Sequence, residues 1–322
     1  MEDLGFKTHR VKVRGKIDPV AIKQMLDVIK QGHFDVVHTH LSTSSVNGCL
    51  AARAAKVPCV ATVHGMSGRL SFAPANHLIG VSNGVKKHLI GQGVPDEKIS
   101  VVYNGIEIRS KEDRAQARRR LEIPNHVPVL GTVSRITAMK GIEDAIHAVS
   151  QLRGKFPDLQ YVIVGDGDFR ANCETLAAKL GIRQAIHFVG YQEDVDSYLA
   201  AMDLFVFPSH KEAMGIALVE AMAAGLPAVA TEIGGIPEVV TPQTGILVPS
   251  RKPEAFAEAV TQLLTDPSLM AQMGTAAEER AKQVFSISAM ESATDAVYRR
   301  LIGFQPRLAA SPRQAAVPQT LA

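Results

Sequence analysis

Short runs rich in Val, Ile and Phe alternate with longer helix-forming segments through most of this chain, and that rhythm restricts the fold more than any other feature. In the first part the strand candidates are FDVVHTH (34–40), PCVATVHG (58–65), HLIGVS (77–82) and ISVVYNG (99–105), with helix candidates at 19–31, 43–56 and 83–92. The second part repeats the pattern, with strands at 127–134, 159–167, 185–191, 204–209, 227–231 and 245–249. Its helices fall at 140–154, 168–181, 193–202, 215–224 and 252–265. Continuous apolar strands belong to sheets covered on both faces, and strands separated by helices run parallel. The expected class is α/β, with two doubly wound, Rossmann-like domains facing a cleft.

The domains follow from where the rhythm breaks. A charged segment, RSKEDRAQARRRLE, divides the two series and reads as a solvated helix or linker at 109–125. Residues 1–108 then form a first domain and 126–284 a second. The chain from 268 to 303 reads as helix broken near FSIS, which leaves 285–303 to pack back on the first domain. The last stretch, 304–322, holds three prolines and few bulky apolar residues and is expected to be disordered. The first domain looks incomplete. A nucleotide-type domain opens with a strand, a glycine-rich turn and a helix, whereas MEDLGFKTHRVKV reads as a helix end leading into a strand. One or two units of roughly 30 residues are expected to be missing.

A length of 322 residues suits two domains, and 46% hydrophobic with 21% charged residues supports a sizeable core. No run approaches the ~20 apolar residues of a membrane span, and the charged opening lacks the apolar centre of a signal peptide. Cys49, Cys59 and Cys173 are too scattered for a disulfide framework and read as buried small apolar residues. A cytoplasmic location follows as the default. The net charge of +3 is uneven: residues 1–125 hold 19 Lys/Arg against 11 Asp/Glu. With no Trp and no interleaved aromatics, nucleic acid is a poor partner for this excess. Anionic lipid or a phosphorylated substrate suits it better.

The stretch LFVFPSHKEAMGIALVEAMAAGLPAVATEIGGIPE (204–238) is the most informative. A strand ends at Phe207, a loop carries Glu212, and a helix containing Glu220 begins near Gly215. Free N–H groups and the positive end of the helix dipole suit a diphosphate there. A buried carboxylate one to two turns on accepts two hydrogen bonds from a sugar diol. Two glutamates alone would read as ordinary helix and surface carboxylates; their place on a strand–loop–helix edge in an apolar frame argues otherwise. The spacing Glu212-x7-Glu220 within EAMGIALVEAMAAGLPAVAT resembles the signature of retaining nucleotide-sugar glycosyltransferases of glycosyltransferase family 4, which have the GT-B fold.

Further motifs agree with that resemblance in order. In GTVSRITAMKG (131–141), Arg135 and Lys140 lie across one loop, where two cations neutralise a diphosphate leaving group. The plain alternative is a pair of surface cations. The resemblance implies the diphosphate clamp, although Ser134 stands where the family more often has glycine. GDG (165–167) alone would be a plain βα turn; by resemblance this strand end and Gly190-Tyr191 line the nucleotide pocket. His64, ending PCVATVHG, matches the family's histidine at the sugar site. His38 and His40 share one strand face but lack a third ligand nearby, so a metal pair is rejected. Asn104-Gly105 matches the family's turn where the chain leaves the first domain, and GGIPEVV supplies a loop in which Glu238 caps a helix start.

The resemblance therefore implies retaining transfer from a nucleotide diphosphate sugar, with no metal and no cofactor. Arg135 and Lys140 hold the diphosphate, Glu220 the ribose, and Glu212 and His64 the transferred sugar. Met214, Gly215, Ile216, Gly190, Tyr191 and Asn104 complete donor binding. Acceptors in the family include sugars, glycolipids and lipid-linked sugars of cell-surface glycan synthesis, compatible with peripheral contact at an anionic membrane on the inner face. Two alternatives stay open: a donor-binding but inactive chain lacking the glycine-rich opening unit, and a GT-B relative such as a phosphorylase or epimerase.

Overall fold

The computed structural model describes residues 5, 7–109 and 112–303. The expectation for 304–322 lies outside them. The first sheet is built from β1 (Val37–His40), β2 (Cys59–Val63), β3 (His77–Gly80) and β4 (Ile99–Val101), all parallel and in sequential order. Helices α1 (Pro19–Gly32), α2 (Ser42–Ala55) and α3 (Asn83–Gly91) connect and cover it. Asp18 starts α1 by accepting from Val20 and Ala21 N–H, with Pro19 at the first helical position, where its missing N–H costs nothing. The strand expected in the opening segment is not there: residues 7–16 hold no strand, and β1 is the edge of the sheet.

After α4 (Arg114–Arg120) the second sheet has six parallel strands in the order β10-β9-β8-β5-β6-β7. They are β5 (Val129–Val133), β6 (Gln160–Val164), β7 (Ile186–Gly190), β8 (Leu204–Phe207), β9 (Ala228–Thr231) and β10 (Gly245–Val248). Between them run α5 (Ile142–Leu152), α6 (Arg170–Lys179), α7 (Asp196–Ala201), α8 (Ile216–Ala223) and α9 (Ile236–Val239). Then follow α10 (Pro253–Thr265), α11 (Pro267–Val284) and α12 (Ile287–Leu301). The strands run apolar because both faces are covered: Val129, Leu130, Val162, Ile163, Phe205 and Val206 are all buried. α12 returns to the first sheet, where Val297 joins a small core with Val60, Ile79 and Val102. No helix among the described residues is long and apolar enough to cross a membrane.

Two sequence expectations need correction. The charged segment is not simply solvated, because Arg118 on α4 is 0% exposed. Its guanidinium donates to the carbonyls of Ala201, Pro124, Asn125 and Val127 and pairs with Asp203 at 2.7 Å. A planar fork of five donors suits this set of acceptors as no ammonium would. The cysteines are buried as expected, but Cys49 on α2 and Cys59 at the start of β2 are joined in a disulfide with Cα atoms 5.5 Å apart. A chain reversal between α2 and β2 brings together residues that sequence spacing alone leaves apart. Cys173 is free, and burial pushes its thiol up to about 12.

The two halves meet at the start of α3. A Cβ on Gly84 would lie 2.7 Å from the carbonyl carbon and oxygen of Gly234, so main chain packs on main chain. Beside it Ser82 Oγ donates to Ala213 O at 2.6 Å, one residue from Glu212. Glu238 caps a helix as expected, but the helix belongs to the other half. Its carboxylate accepts from Asn83 N at 2.6 Å, Gly84 N at 2.7 Å, Asn83 Nδ2 at 2.9 Å and Tyr103 Oη at 3.1 Å. A negative charge there meets the positive end of α3. The chain crosses between halves twice, and the crossings bond to each other: Ile106 N donates to Phe285 O and Ile287 N to Ile106 O.

Two outcomes follow from these contacts. Arg118→Ala leaves four carbonyls without this donor and Asp203 with only Arg114 and Val129 N as partners, and should cost about 3–5 kcal/mol in denaturant unfolding; a loss within experimental error would contradict the anchoring role. Glu238→Ala should enlarge the radius of gyration of the free protein in small-angle scattering while barely changing its helix content. An unchanged scattering profile would remove Glu238 as the clamp.

Candidate active site

In a doubly wound sheet, loops diverge at the point where strand order reverses, opening a crevice at the carboxyl ends. Here that point lies between β5 and β8, which pair with each other while their connections run to opposite sides. The loop after β5 carries Ser134, Arg135 and Lys140 into α5, and the loop after β8 carries Glu212 into α8. Lys140 Nζ donates to Glu212 Oε2 at 2.6 Å and stands 5.5 Å from the Phe207 ring centroid. The loops are pressed together: Gly141 has φ +63°, and a Cβ there would fall 2.1 Å from Pro208 O. His210 adds a bond to Asp144 at 2.7 Å.

Neither α5 nor α8 has a side-chain cap at its N-terminus; Gly141 and Gly215 stand at the two cap positions. Their first N–H groups are therefore free to meet an anion. Arg135 is exposed beside them. The loop is braced from behind by GDG: Ile136 N donates to Asp166 O at 2.9 Å, and a Cβ on Gly165 would strike Ser134 O at 1.9 Å. These glycines let β6 support the Arg135 loop. The hydroxyls of Ser134 and Ser209 are buried with no partner among the described residues.

Glu220 sits apart from the Lys140–Glu212 pair. It faces a cavity of about 330 Å³ shared with Arg109, Asp196, Met202 and Met270. Burial, with the nearby Asp196 charge, raises its pKa, and Arg109 opposes the shift. Arg109 reaches from the crossing segment to Asp196 at 3.2 Å. Gly190 ends β7 and Tyr191 follows it, with Gly190 O accepting from Gly165 N at 2.8 Å and Tyr191 78% exposed. Met214 is buried, and its Sδ accepts from Asn104 N across the halves at 3.3 Å. Ile216 is 48% exposed at the start of α8.

His64 follows β2 directly, two residues before Met66, whose Cε would touch a Cβ on Gly234 at 3.5 Å. It therefore stands at the seam between the halves. Its Nε2 lies 2.9 Å from Nδ1 of His40, a residue that sequence reasoning weighed only as half of a metal pair. The H-x-H alternation that puts His38 and His40 on one strand face was the available signal. Among the described residues no three His, Cys, Asp or Glu side chains converge as a metal site.

The cost of holding Glu220 in this cavity is open to measurement. Its folded-state pKa is raised, so the stability of the protonated form is present at acid pH and is lost as pH rises through the folded pKa. Glu220→Gln removes that slope and should gain about 0.5–2 kcal/mol at neutral pH. A loss of stability in urea unfolding at pH 7.5, or an unchanged pH slope, would contradict this.

Comparison with known proteins now bears on the family. The family model of glycosyl transferases group 1 matches residues 113–280, and that of glycosyltransferase family 4 matches 3–110. A D-inositol 3-phosphate glycosyltransferase of Streptomyces bingchenggensis is 30% identical over 306 residues, covering 84% of this chain and 67% of that protein. An N-acetyl-alpha-D-glucosaminyl L-malate synthase of Bacillus anthracis is 28% identical, covering 87% and 78%. The crystal structure of Anabaena HepE with UDP and glucose superposes with a TM-score of 0.79 at 24% identity, over 86% of this chain and 80% of that one. A Rickettsia africae glycosyltransferase reaches a TM-score of 0.84 at 22% identity, over 94% and 87%. The group 1 match alone spans more than half the chain, and with the family 4 match before it and the shared two-sheet architecture this protein belongs to the group 1 and family 4 glycosyltransferases of GT-B fold.

Proposed function

We propose that the chain transfers a sugar from a nucleotide diphosphate sugar to an acceptor with retention at the anomeric carbon. The observation that carries this reading is the Lys140–Glu212 contact at 2.6 Å between two helix starts that lack side-chain caps. In the free protein Glu212 neutralises Lys140. An arriving diphosphate draws Lys140 and Arg135 to its oxygens and frees the Glu212 carboxylate for the hydroxyls of the sugar. Two cations and the N–H groups at Gly141 and Gly215 then oppose the charge that develops as the diphosphate departs. Such a departure needs no carboxylate nucleophile and no metal ion. Glu220, lacking a hydrogen-bond partner among the described residues, accepts from the ribose hydroxyls at the cavity. Gly190 and Tyr191 border the base, Asn104 and Met214 tie the donor side to the first half, and His64 meets the sugar.

The solved HepE complex with UDP and glucose and the curated relatives support a nucleotide-sugar donor for a chain of this architecture. For the acceptor we favour a sugar, glycolipid or lipid-linked saccharide of cell-surface synthesis, reached in the cytoplasm with peripheral contact at an anionic membrane surface.

The test is nucleotide release and calorimetric binding with UDP-, GDP- and ADP-sugars on residues 1–322. Lys140→Ala and Glu212→Ala should each lower turnover by ~10²-fold or more while leaving the fold intact. Near-normal turnover in either variant would overturn the site assignment. Binding without turnover would favour a donor-binding protein that lacks part of its transfer machinery.

A further inference from the structure

The side chains around His64 form a connected set that donor chemistry alone does not explain. His40 and His64 lie on neighbouring strand ends, with ring centroids 5.2 Å apart and planes at 27°, and Nδ1 of His40 is 2.9 Å from Nε2 of His64. His38 stacks behind His40 at 4.3 Å. Its own ring is pinned at both nitrogens, Nδ1 to Tyr298 Oη at 2.5 Å and Nε2 to Thr62 Oγ1 at 2.7 Å. The row therefore runs from α12 through β1 to the seam between the halves. A side chain on a strand end ordinarily turns freely toward solvent. His64, though exposed, is engaged by His40 at one of its two nitrogens, and the His40 ring in turn lies against His38.

We infer that His40 is a positioning residue for His64: it engages Nε2 of His64, holds the orientation of that ring, and leaves Nδ1 as the nitrogen presented to the transferred sugar. The contact is between two imidazoles, so one ring must donate and the other accept, and a neutral pair satisfies it with a single proton. Partial burial, joined at His64 by the neighbouring His40, lowers both pKa values, and His38 is lowered to about 4, consistent with uncharged rings. The consequence for the site is geometric. A sugar hydroxyl must approach the Nδ1 edge of His64, the side of the ring nearer its own main chain. The sugar-facing part rests on the function proposed above; the His40–His64 contact does not.

Long-range proton–nitrogen correlation spectra of the histidine rings, recorded on the full chain at pH 7.5, separate the two. His64 is assigned by its disappearance in His64→Asn. In the unaltered protein the His64 Nε2 resonance should carry the shift of a hydrogen-bonded ring nitrogen. In His40→Ala it should move to that of a solvent-exposed imidazole, and in His40→Asn, whose amide overlies the Nδ1 position and can donate or accept, it should return. A His64 spectrum unchanged by His40→Ala would overturn the proposal, as would failure of His40→Asn to restore it in a variant that melts at the unaltered temperature. With the donor found by nucleotide release, His40→Ala should lower kcat about ten- to a hundredfold with little change in donor KM, and His40→Asn should recover most of it. Full turnover in His40→Ala would remove the positioning role even if the spectra change. If no nucleotide sugar binds, the spectra still decide the contact, and only the function proposed above falls.

Discussion

The arrangement of this molecule depends on a main-chain contact between its halves. A Cβ on Gly84 has no room against Gly234, and at Gly84 and the two residues before it the polar groups are already paired: Ser82 with Ala213, Asn83 and Gly84 with Glu238. A side chain at Gly84 would push the two halves apart, and one at Gly234 would strike Glu212 O in the loop after β8. Because Ala213 adjoins Glu212, the same contact fixes how close the loop after β8 comes to the first half. The seam and the candidate site are therefore one structural unit.

Within that unit, charge is paired unevenly. Lys140 is satisfied by Glu212 in the free protein, and the helix starts behind them are open to an anion. Glu220, by contrast, is left in a cavity with a carboxylate neighbour whose effect the Arg109 guanidinium offsets only in part. A fold selected for stability alone would pair or neutralise such a group. The two glutamates of one motif thus hold opposite electrostatic positions, one paired and one exposed to desolvation.

The fold was legible because its signals are local. Strand and helix segments such as 204–209 and 252–265 were visible from apolar runs and turn residues, and they stand within a few residues of β8 and α10. Lys140 and Glu212 were each visible from motif spacing, but their contact was not, since it depends on β5 and β8 becoming neighbours. The same holds for Cys49 with Cys59, for Arg118 with Asp203, and for Glu238 with the start of α3. Arg118 is the plainest case. A run of arginines gives no sign of which one turns inward, because that is set by the turn of the chain at 124–127 and by Ala201 and Asp203 far along it. The contact of His40 with His64 was hidden for a related reason: it exists only because β1 and β2 lie side by side.

The two crossings between the halves, at Ile106 and Ser286, are bonded into one short parallel ladder, with Gly105 lying close against Ser286 and Ile287. Mechanically this is a single hinge pin rather than two tethers. Two bodies joined that way keep one soft coordinate, rotation about the pin, while sliding and twisting strain both crossings at once. The buried Arg118 binds α4 to the second body, and Val297 and Tyr298 bind α12 to the first, so each crossing segment turns rigidly with its own side. Displacement under such a rotation grows with distance from the pin, and any swing of the molecule moves the residues on each side of the seam as fixed sets.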